Sequence, residues 1–488
     1  MCCKKIKQFI QKNRLEIIAL TVIVFAALLL RLYRIDEYLT FLGDEGRDVR
    51  VVRDILKGNL AFIGPQTSIG NMYLGPLYYY LMTPALFLSG LNPVGPAVLN
   101  AIIGALTIGL TWWVARTWFN PLSGLVAAFL MAISPVAIIY SRSSWNPNPM
   151  PLFALLSIFS IYQVWQGKNR RWLILSAISF AFALQMHYLG LLLIPTLAAF
   201  WLLSIKKKQF LATSLKSLVI FLFLMSPLVL FDLKHNGLNY NAFKTFFTTQ
   251  QTTVNLNPVN PDRLFPVWNK ITADLLLGQI EENVVLISFS VFLLGLWAFA
   301  KEKKKAPAII LFTWIGFAVL GLSMYKHPIY AHYFGFFWPA IFILIGWVIS
   351  RLFQGTYAHK FLSIALFSWL VIVNINRSPL KQTPNNQLQR TKDVIDLVIK
   401  ESAGEPFNFG LIAKQNYDES YRYFLENKKA EMIRGEDGIS DQLFVICEDQ
   451  DCQPEGNPAW QIAIFGPADT VADWQIDHIK IFKLTHAK

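Results

Sequence analysis

The feature that most limits the fold of this chain is a series of apolar runs, each roughly 17–22 residues long and nearly free of charge. The hydrocarbon core of a bilayer takes about 20 residues of helix to cross, and a segment in lipid must satisfy its own backbone hydrogen bonds. Such runs therefore read as transmembrane helices. About eleven occur, near residues 16–33, 97–115, 122–140, 150–165, 172–186, 189–205, 216–231, 284–300, 308–325, 333–350 and 361–376. The fold class is a polytopic α-helical membrane protein. Composition agrees, with 54% apolar and only 15% charged residues, where soluble domains average about 25% charged. A wholly soluble protein is excluded, and 14% aromatic residues exclude intrinsic disorder. Four cysteines in 488 residues cannot build a disulfide scaffold.

Orientation follows from the basic residues of short loops, which collect on the cytoplasmic side. Lys4, Lys5, Lys7, Lys12 and Arg14 precede the first run, and every second loop repeats the bias. Those loops hold Arg116, then Lys168, Arg170 and Arg171, then Lys206, Lys207, Lys208 and Lys216, then Lys301, Lys303, Lys304 and Lys305, then Arg351 and Lys360. The N-terminus is expected inside and the C-terminus outside, in a multi-pass protein of the plasma membrane. Arg31 and Arg34 close the first run with no small-residue cleavage site after it, so it reads as an anchor. The net charge of +13 is explained by these loops and calls for no nucleic acid. No phosphate-binding glycine loop, zinc spacing or internal repeat stands out.

Residues 1–377 form the membrane domain, with two long external loops at 34–96 and 232–283. Residues 378–488 hold 12 Lys and Arg against 18 Asp and Glu, a net of −6 that leaves +19 on the membrane part. This second domain is expected to be a small extracytoplasmic α/β unit. Helical spacing covers 391–400 and 419–427, and strand-like runs cover 407–412, 442–447, 462–465 and 478–484. Its acids are spread along helices and turns without a nucleophile and base pair, so no catalytic residue is expected there. Cys447 and Cys452 admit either a local disulfide or two free thiols.

The chemistry concentrates in the first external loop, Phe41-Leu42-Gly43-Asp44-Glu45-Gly46-Arg47-Asp48. From Asp44 onward, Val49, Val52, Ile55 and Leu56 share one helical face, and Arg47, Arg50, Arg53, Asp54 and Lys57 fall mainly elsewhere. This predicts a helix in the membrane interface, ended by Gly58. Asp44 and Glu45 at its start can serve as a general base and its orienting partner, or can simply cap the helix. Gly75-Pro76-Leu77-Tyr78-Tyr79-Tyr80 follows in the same loop. An aromatic belt alone would account for these tyrosines, though not for their place after an Asp-Glu loop.

At these residues the chain resembles the membrane glycosyltransferases of the GT-C fold, in the protein O-mannosyltransferase and aminoarabinose transferase branch (dolichyl-phosphate-mannose-protein mannosyltransferase-like, glycosyltransferase family 39). The layout covers roughly 15–380, and the specific motifs lie within about 40–82. The resemblance implies a polyprenyl-phosphate sugar donor and an acceptor hydroxyl on a protein, lipid or glycan. Transfer would be extracytoplasmic and inverting, with Asp44 as base and Glu45 beside it. Two departures stand out. Relatives often carry a basic residue and two prolines before Leu-Tyr-Tyr, where this chain has Leu74-Gly75-Pro76, and they tend to have Arg then Asp where this chain has Arg142 followed by Asn146 and Asn148.

Departure of a polyprenyl phosphate needs cations or donors facing it. Arg47, Arg142, Lys326 and His327 are the candidates for the donor phosphate, with Tyr78, Asn146, His187 and His332 as further substrate contacts. A monophosphate can be stabilised by Arg, Lys and His alone, so no metal or other cofactor is expected. The rival reading is a polytopic transporter or flippase of lipid-linked substrates. Transporters place ionisable residues near the middle of their spans, whereas these run interiors are almost without charge and the polar chemistry gathers at the outer rim.

Overall fold

The computed structural model describes residues 8–67, 72–205, 210–248, 261–280, 282–449 and 451–487. Lys4, Lys5, Lys7 and Lys206–Lys208 lie outside them, as does part of the second long loop.

Each of the eleven apolar runs is helical. Among the described residues, six helices are long and apolar enough to cross a membrane: Arg14–Leu32, Val94–Trp118, Phe210–Lys234, Val284–Lys301, Lys305–Ser323 and Tyr357–Asn376. The other runs form shorter apolar helices at Pro121–Ile133, Met150–Trp165, Trp172–Met186, Tyr188–Leu202 and Trp338–Phe353. The run expected at 122–140 is broken after Ile133 and resumes as Pro135–Ile139. Pro135 has no N–H to donate and forces Ser134 into an extended conformation (φ −62°, ψ 125°).

The helix ends sort into two rims. At one, Glu16 pairs with Arg116 (2.6 Å), Asn120 binds Ser350 (2.7 Å), and Glu302 accepts from Trp347 (3.1 Å). These are ends that the charge bias gathers on one side. At the other rim stand Asp44, Arg142, His187 and His332, together with the C-terminal unit. The loop 232–283 is not structureless. It contains Leu238–Thr248 and the amphipathic helix Pro261–Leu276, which buries Val267, Ile271 and Leu275. Its charged face disguised it as loop.

Beyond residue 377 the chain forms the helices Gln387–Glu401 and Glu419–Asn427 around a five-stranded sheet. The strands are β1 (Phe407–Ile412), β2 (Met432–Ile433), β3 (Gln442–Cys447), β4 (Ala468–Ile476) and β5 (Ile479–His486), in the order β2-β1-β3-β5-β4. β1 runs parallel to β2 and β3, and β5 runs antiparallel to β3 and β4. The segment 462–465, expected as a strand, falls instead in and after a helical turn at Trp460–Ala463 that sets Ile462 against Gly410 of β1. β4 escaped the sequence because it is an edge strand with no residue fully buried. Cys447 at the end of β3 is disulfide-bonded to Cys452.

Candidate active site

The interfacial helix spans Gly43–Leu56, with Val49, Val52 and Ile55 buried as their spacing requires, and Gly58 beyond it takes the left-handed φ of 98° that glycine tolerates. Its arginine face meets protein rather than lipid headgroups. Arg50 pairs with Glu419 and Glu426, and Arg53 pairs with Glu426 (2.7 Å) and donates to Asn427 (3.0 Å). Helix Glu419–Asn427 therefore lies on helix Gly43–Leu56. The approach is closest at Gly46, where an added Cβ would sit 2.5 Å from the carbonyl carbon of Glu419 and nearer still to the backbone of Ser420.

This docking brings the C-terminal unit to Asp44. The Asp44 carboxylate accepts from three donors: Arg47 Nη1 (2.8 Å), the Tyr417 hydroxyl (2.6 Å) and Trp145 Nε1 (3.1 Å). Tyr417 leads into helix Glu419–Asn427 and lies 373 residues from Asp44 in sequence. Burial, with the neighbouring Asp44 and Asp48, raises its phenol pKa, so it remains a donor. Asn416 accepts from the N–H of Gly43 (2.8 Å) and is held by Glu448 at the end of β3 (2.9 and 3.0 Å). The sheet thus braces the N-terminus of the interfacial helix.

Asp44 and Glu45 are adjacent and unlike. The Asp44 side chain is 40% exposed and lines two cavities, whereas Glu45 is buried and accepts from the Leu42 N–H (3.0 Å). Burial pushes the Glu45 carboxyl up to about 8. Arg47 bridges Asp44 and Asp48, giving Asp48 two hydrogen bonds (3.0 and 2.7 Å). Burial opposes the charge of Arg47, but Asp48, Tyr79 and Asp44 outweigh it and raise its pKa. Burial pushes Asp48 up to about 6 even against Arg47.

The larger cavity, about 720 Å³, is bordered by Asp44, Arg47, Tyr79, Asn146, His187 and His332 among others. The two imidazoles lie 6.2 Å apart. Burial lowers His187 to about 4, and burial together with His187 lowers His332 to about 3, so both are neutral at pH 7. An apolar groove shares Thr67, His187 and Tyr333 with this cavity and continues along Leu189, Leu192, Phe243 and Met324. The smaller cavity, about 280 Å³, lies on the other side of Asp44, Trp145 and Tyr417, which border both.

Four sequence candidates stand elsewhere. Arg142 is buried, donates to the carbonyl of Tyr33 at the end of the first span (2.6 Å) and lies over the Tyr38 ring (4.6 Å). Burial lowers its guanidinium to about 10, still charged at neutral pH. Lys326 and His327 are exposed on a turn and border neither cavity, although His332 and Tyr333 of the same segment border the larger one. Tyr78 is fully buried against Ser144 (2.8 Å), and its neighbour Tyr79 faces the cavity instead. Sequence reasoning missed Tyr79, Trp145 and Tyr417. Trp145 stood inside the quoted 140–149 stretch, whereas no local signal joins Tyr417 to Asp44.

Residues 74–231 match the family model described as dolichyl-phosphate-mannose-protein mannosyltransferase. No curated protein matches the chain in sequence. Among solved structures, ArnT from Cupriavidus metallidurans bound to undecaprenyl phosphate is similar at 12% identity with a TM-score of 0.63, over 98% of this chain and 99% of that chain. The archaeal oligosaccharyltransferase AglB from Archaeoglobus fulgidus, in complex with an inhibitory peptide and a dolichol-phosphate, is similar at 12% identity with a TM-score of 0.55, over 84% of this chain and 64% of that one. The chain is therefore an integral multi-pass membrane protein of the GT-C glycosyltransferase fold, and over residues 74–231, which include Tyr79, Trp145, Asn146 and His187 of the larger cavity, it resembles the dolichyl-phosphate-mannose-protein mannosyltransferases.

Proposed function

We propose that this protein transfers a sugar from a polyprenyl-phosphate donor to an acceptor hydroxyl, with inversion and with Asp44 as general base, on the extracytoplasmic face of the membrane. The observation that carries the reading is the place of Asp44 between two cavities, one of which opens into an apolar groove. Solved structures of the same fold bound to undecaprenyl phosphate or a dolichol-phosphate support the class of donor.

The polyprenyl chain occupies the groove, and the sugar phosphate occupies the larger cavity. The acceptor oxygen attacks the anomeric carbon as its proton passes to Asp44. The anomeric carbon–oxygen bond breaks, its electron pair stays on the phosphate oxygen, and polyprenyl phosphate leaves. Arg47, Trp145 and Tyr417 aim the Asp44 carboxylate. With the carboxylate fixed by three donors, its effect as a base comes from orientation and proximity to the acceptor hydroxyl. Arg47 is shared with Asp48, and the charge leaving on phosphate therefore also needs the N–H and O–H groups of His187, His332 and Tyr79. Phosphate binding beside the two neutral imidazoles favours their protonation, which supplies positive charge where the leaving group forms.

Glu45 orients the helix start rather than taking the proton. Metal independence is part of the proposal, and transfer in the presence of a chelator tests it. The direct test of the function is incubation of the purified protein with a panel of polyprenyl-phosphate sugars. Released polyprenyl phosphate supports the reading, and intact donors throughout would refute it.

A further inference from the structure

The smaller cavity has a chemistry unlike that of the larger one. Its wall joins the hydroxyl and amide groups of Thr40, Ser143, Asn148 and Gln415 to the rings of Trp145 and Tyr417. It includes no Lys, Arg or His among the described residues, and of its two acids Asp44 faces the space while burial keeps Glu45 largely protonated at neutral pH. A phosphorylated or carboxylated acceptor placed there would meet the Asp44 carboxylate, and the nearest cation, Arg47, is already shared between Asp44 and Asp48, so the acceptor's charge would find no free cation in the wall.

Two polar groups in this wall are unspent. Asn148 donates its Nδ2 to the Ser143 carbonyl (2.8 Å), but its buried Oδ1 accepts no hydrogen bond among the described residues. A buried carbonyl oxygen without a donor is costly unless something fills it. The Gln415 amide likewise has no hydrogen-bond partner among the described residues and stands on an exposed stretch beside the cavity mouth. Asn416, by contrast, is consumed by Gly43, Tyr417 and Glu448 and serves as framework. Aromatic faces next to amides and hydroxyls suit a ring that is apolar on its C–H face and ringed by hydroxyls at its edge. The sheet edges β2 and β4 contribute nothing to this wall, so no backbone ladder is offered to an extended peptide.

We propose that the smaller cavity is the acceptor subsite, that it takes an uncharged sugar residue of a glycan or glycolipid, and that Asn148 and Gln415 hydrogen-bond its hydroxyls. This rests on the reading of Asp44 as the base, since the acceptor hydroxyl must reach Asp44 from the side opposite the donor. It also gives the C-terminal unit a share in acceptor choice, through Gln415 and Tyr417.

The test uses the full chain in nanodiscs, supplied with whichever polyprenyl-phosphate sugar is turned over. Maltotriose, a monogalactosyl diacylglycerol, a phosphorylated glucosamine lipid and a Ser/Thr peptide are offered separately as acceptors. Transfer to either of the two neutral sugars is expected, and the arm that reacts distinguishes a soluble glycan from a glycolipid. Gln415→Ala and Asn148→Ala should each raise the acceptor KM by about two- to tenfold, the worth of one neutral hydrogen bond, and by more than kcat falls. Gln415 is on the surface, so Gln415→Ala stays readable if Asn148→Ala disturbs its loop, and Gln415→Glu, which keeps the acceptor oxygens, should recover part of the loss. Preference for the peptide or the phosphorylated lipid, or an acceptor KM unmoved by Gln415→Ala, would overturn the proposal while leaving the transferase reading intact. Absence of polyprenyl phosphate release from every donor would remove that reading and this one with it.

Discussion

The contact between helices Gly43–Leu56 and Glu419–Asn427 can be probed without touching a charge. In Gly46→Ala the new Cβ would lie 2.5 Å from the Glu419 carbonyl carbon, where carbon atoms prefer about 3.5–4.0 Å. The helices must part by about 1 Å at that point, and overpacking of this kind typically costs about 1–3 kcal/mol. The shift reaches the pair of Arg53 with Glu426 (2.7 Å) and the Tyr417 hydroxyl on Asp44 (2.6 Å), both of which lose hydrogen-bonding distance when stretched by about 1 Å. Taken alone, alanine in place of a helical glycine favours the helix by about 1 kcal/mol, so the local and the interface effects have opposite signs. The expected outcome is a better interfacial helix and a loosened C-terminal unit. The kcat for transfer should fall severalfold, and the 378–386 linker should become easier to cleave in limited proteolysis. Wild-type kcat together with wild-type protease resistance would show that the two helices do not pack as described.

Three further outcomes follow from the site. Tyr417→Phe removes one of the three donors that aim Asp44, and a misaimed base should lower kcat about tenfold in steady-state assays and by more than the donor KM changes; an unchanged kcat would discount the contact. Burial raises Glu45 from 4.5 to about 8, so between these values the folded state keeps a proton that the unfolded state has lost, and stability falls as pH rises. Glu45→Gln should flatten that slope and gain on the wild type toward pH 8 in thermal unfolding at fixed salt, and parallel curves would contradict the assignment. Reporter fusions at Lys168 and Lys428 should lie on opposite sides of the membrane, and the same side for both would contradict the span count or the orientation inferred from loop charge.

The spans were legible because a bilayer imposes length and apolarity on each segment, whatever its neighbours. Local chemistry altered the details: Pro135 broke one run, and the runs at 189–205 and 333–350 open with a 3₁₀ segment at Tyr188–Leu193 and Ala331–Phe336. The Asp44-Glu45 pair was legible as a pair, but not the division of labour within it, since two acids at a helix start look alike until one of them is buried. The same holds for Tyr78 and Tyr79, whose rings lie 6.1 Å apart although only Tyr79 borders the cavity, and for the stretch 325–333, where Lys326 and His327 are exposed while His332 and Tyr333 face the cavity. Tyr417 was out of reach for a different reason. Its tie to Asp44 depends on how a separate unit docks, through Gly46 and the Arg50 and Arg53 ion pairs, and docking leaves no periodicity in either segment. β4 alternates regularly between half-buried and exposed residues, but its inward side begins with Ala468, Thr470 and Ala472, too small and too polar to read as a strand.

The claim that Asp44 takes the acceptor proton is tested most directly by Asp44→Asn. The change keeps the size of the side chain and an oxygen for Arg47 and Tyr417, gives up the contact with Trp145, and removes the base. Assistance by a positioned base is typically worth about 10²–10⁴-fold. With donor and acceptor saturating, the kcat of Asp44→Asn should fall by about that factor in a protein that still folds and binds the donor. Full turnover by Asp44→Asn would contradict the mechanism and place the base elsewhere, with Glu45 the next residue to test.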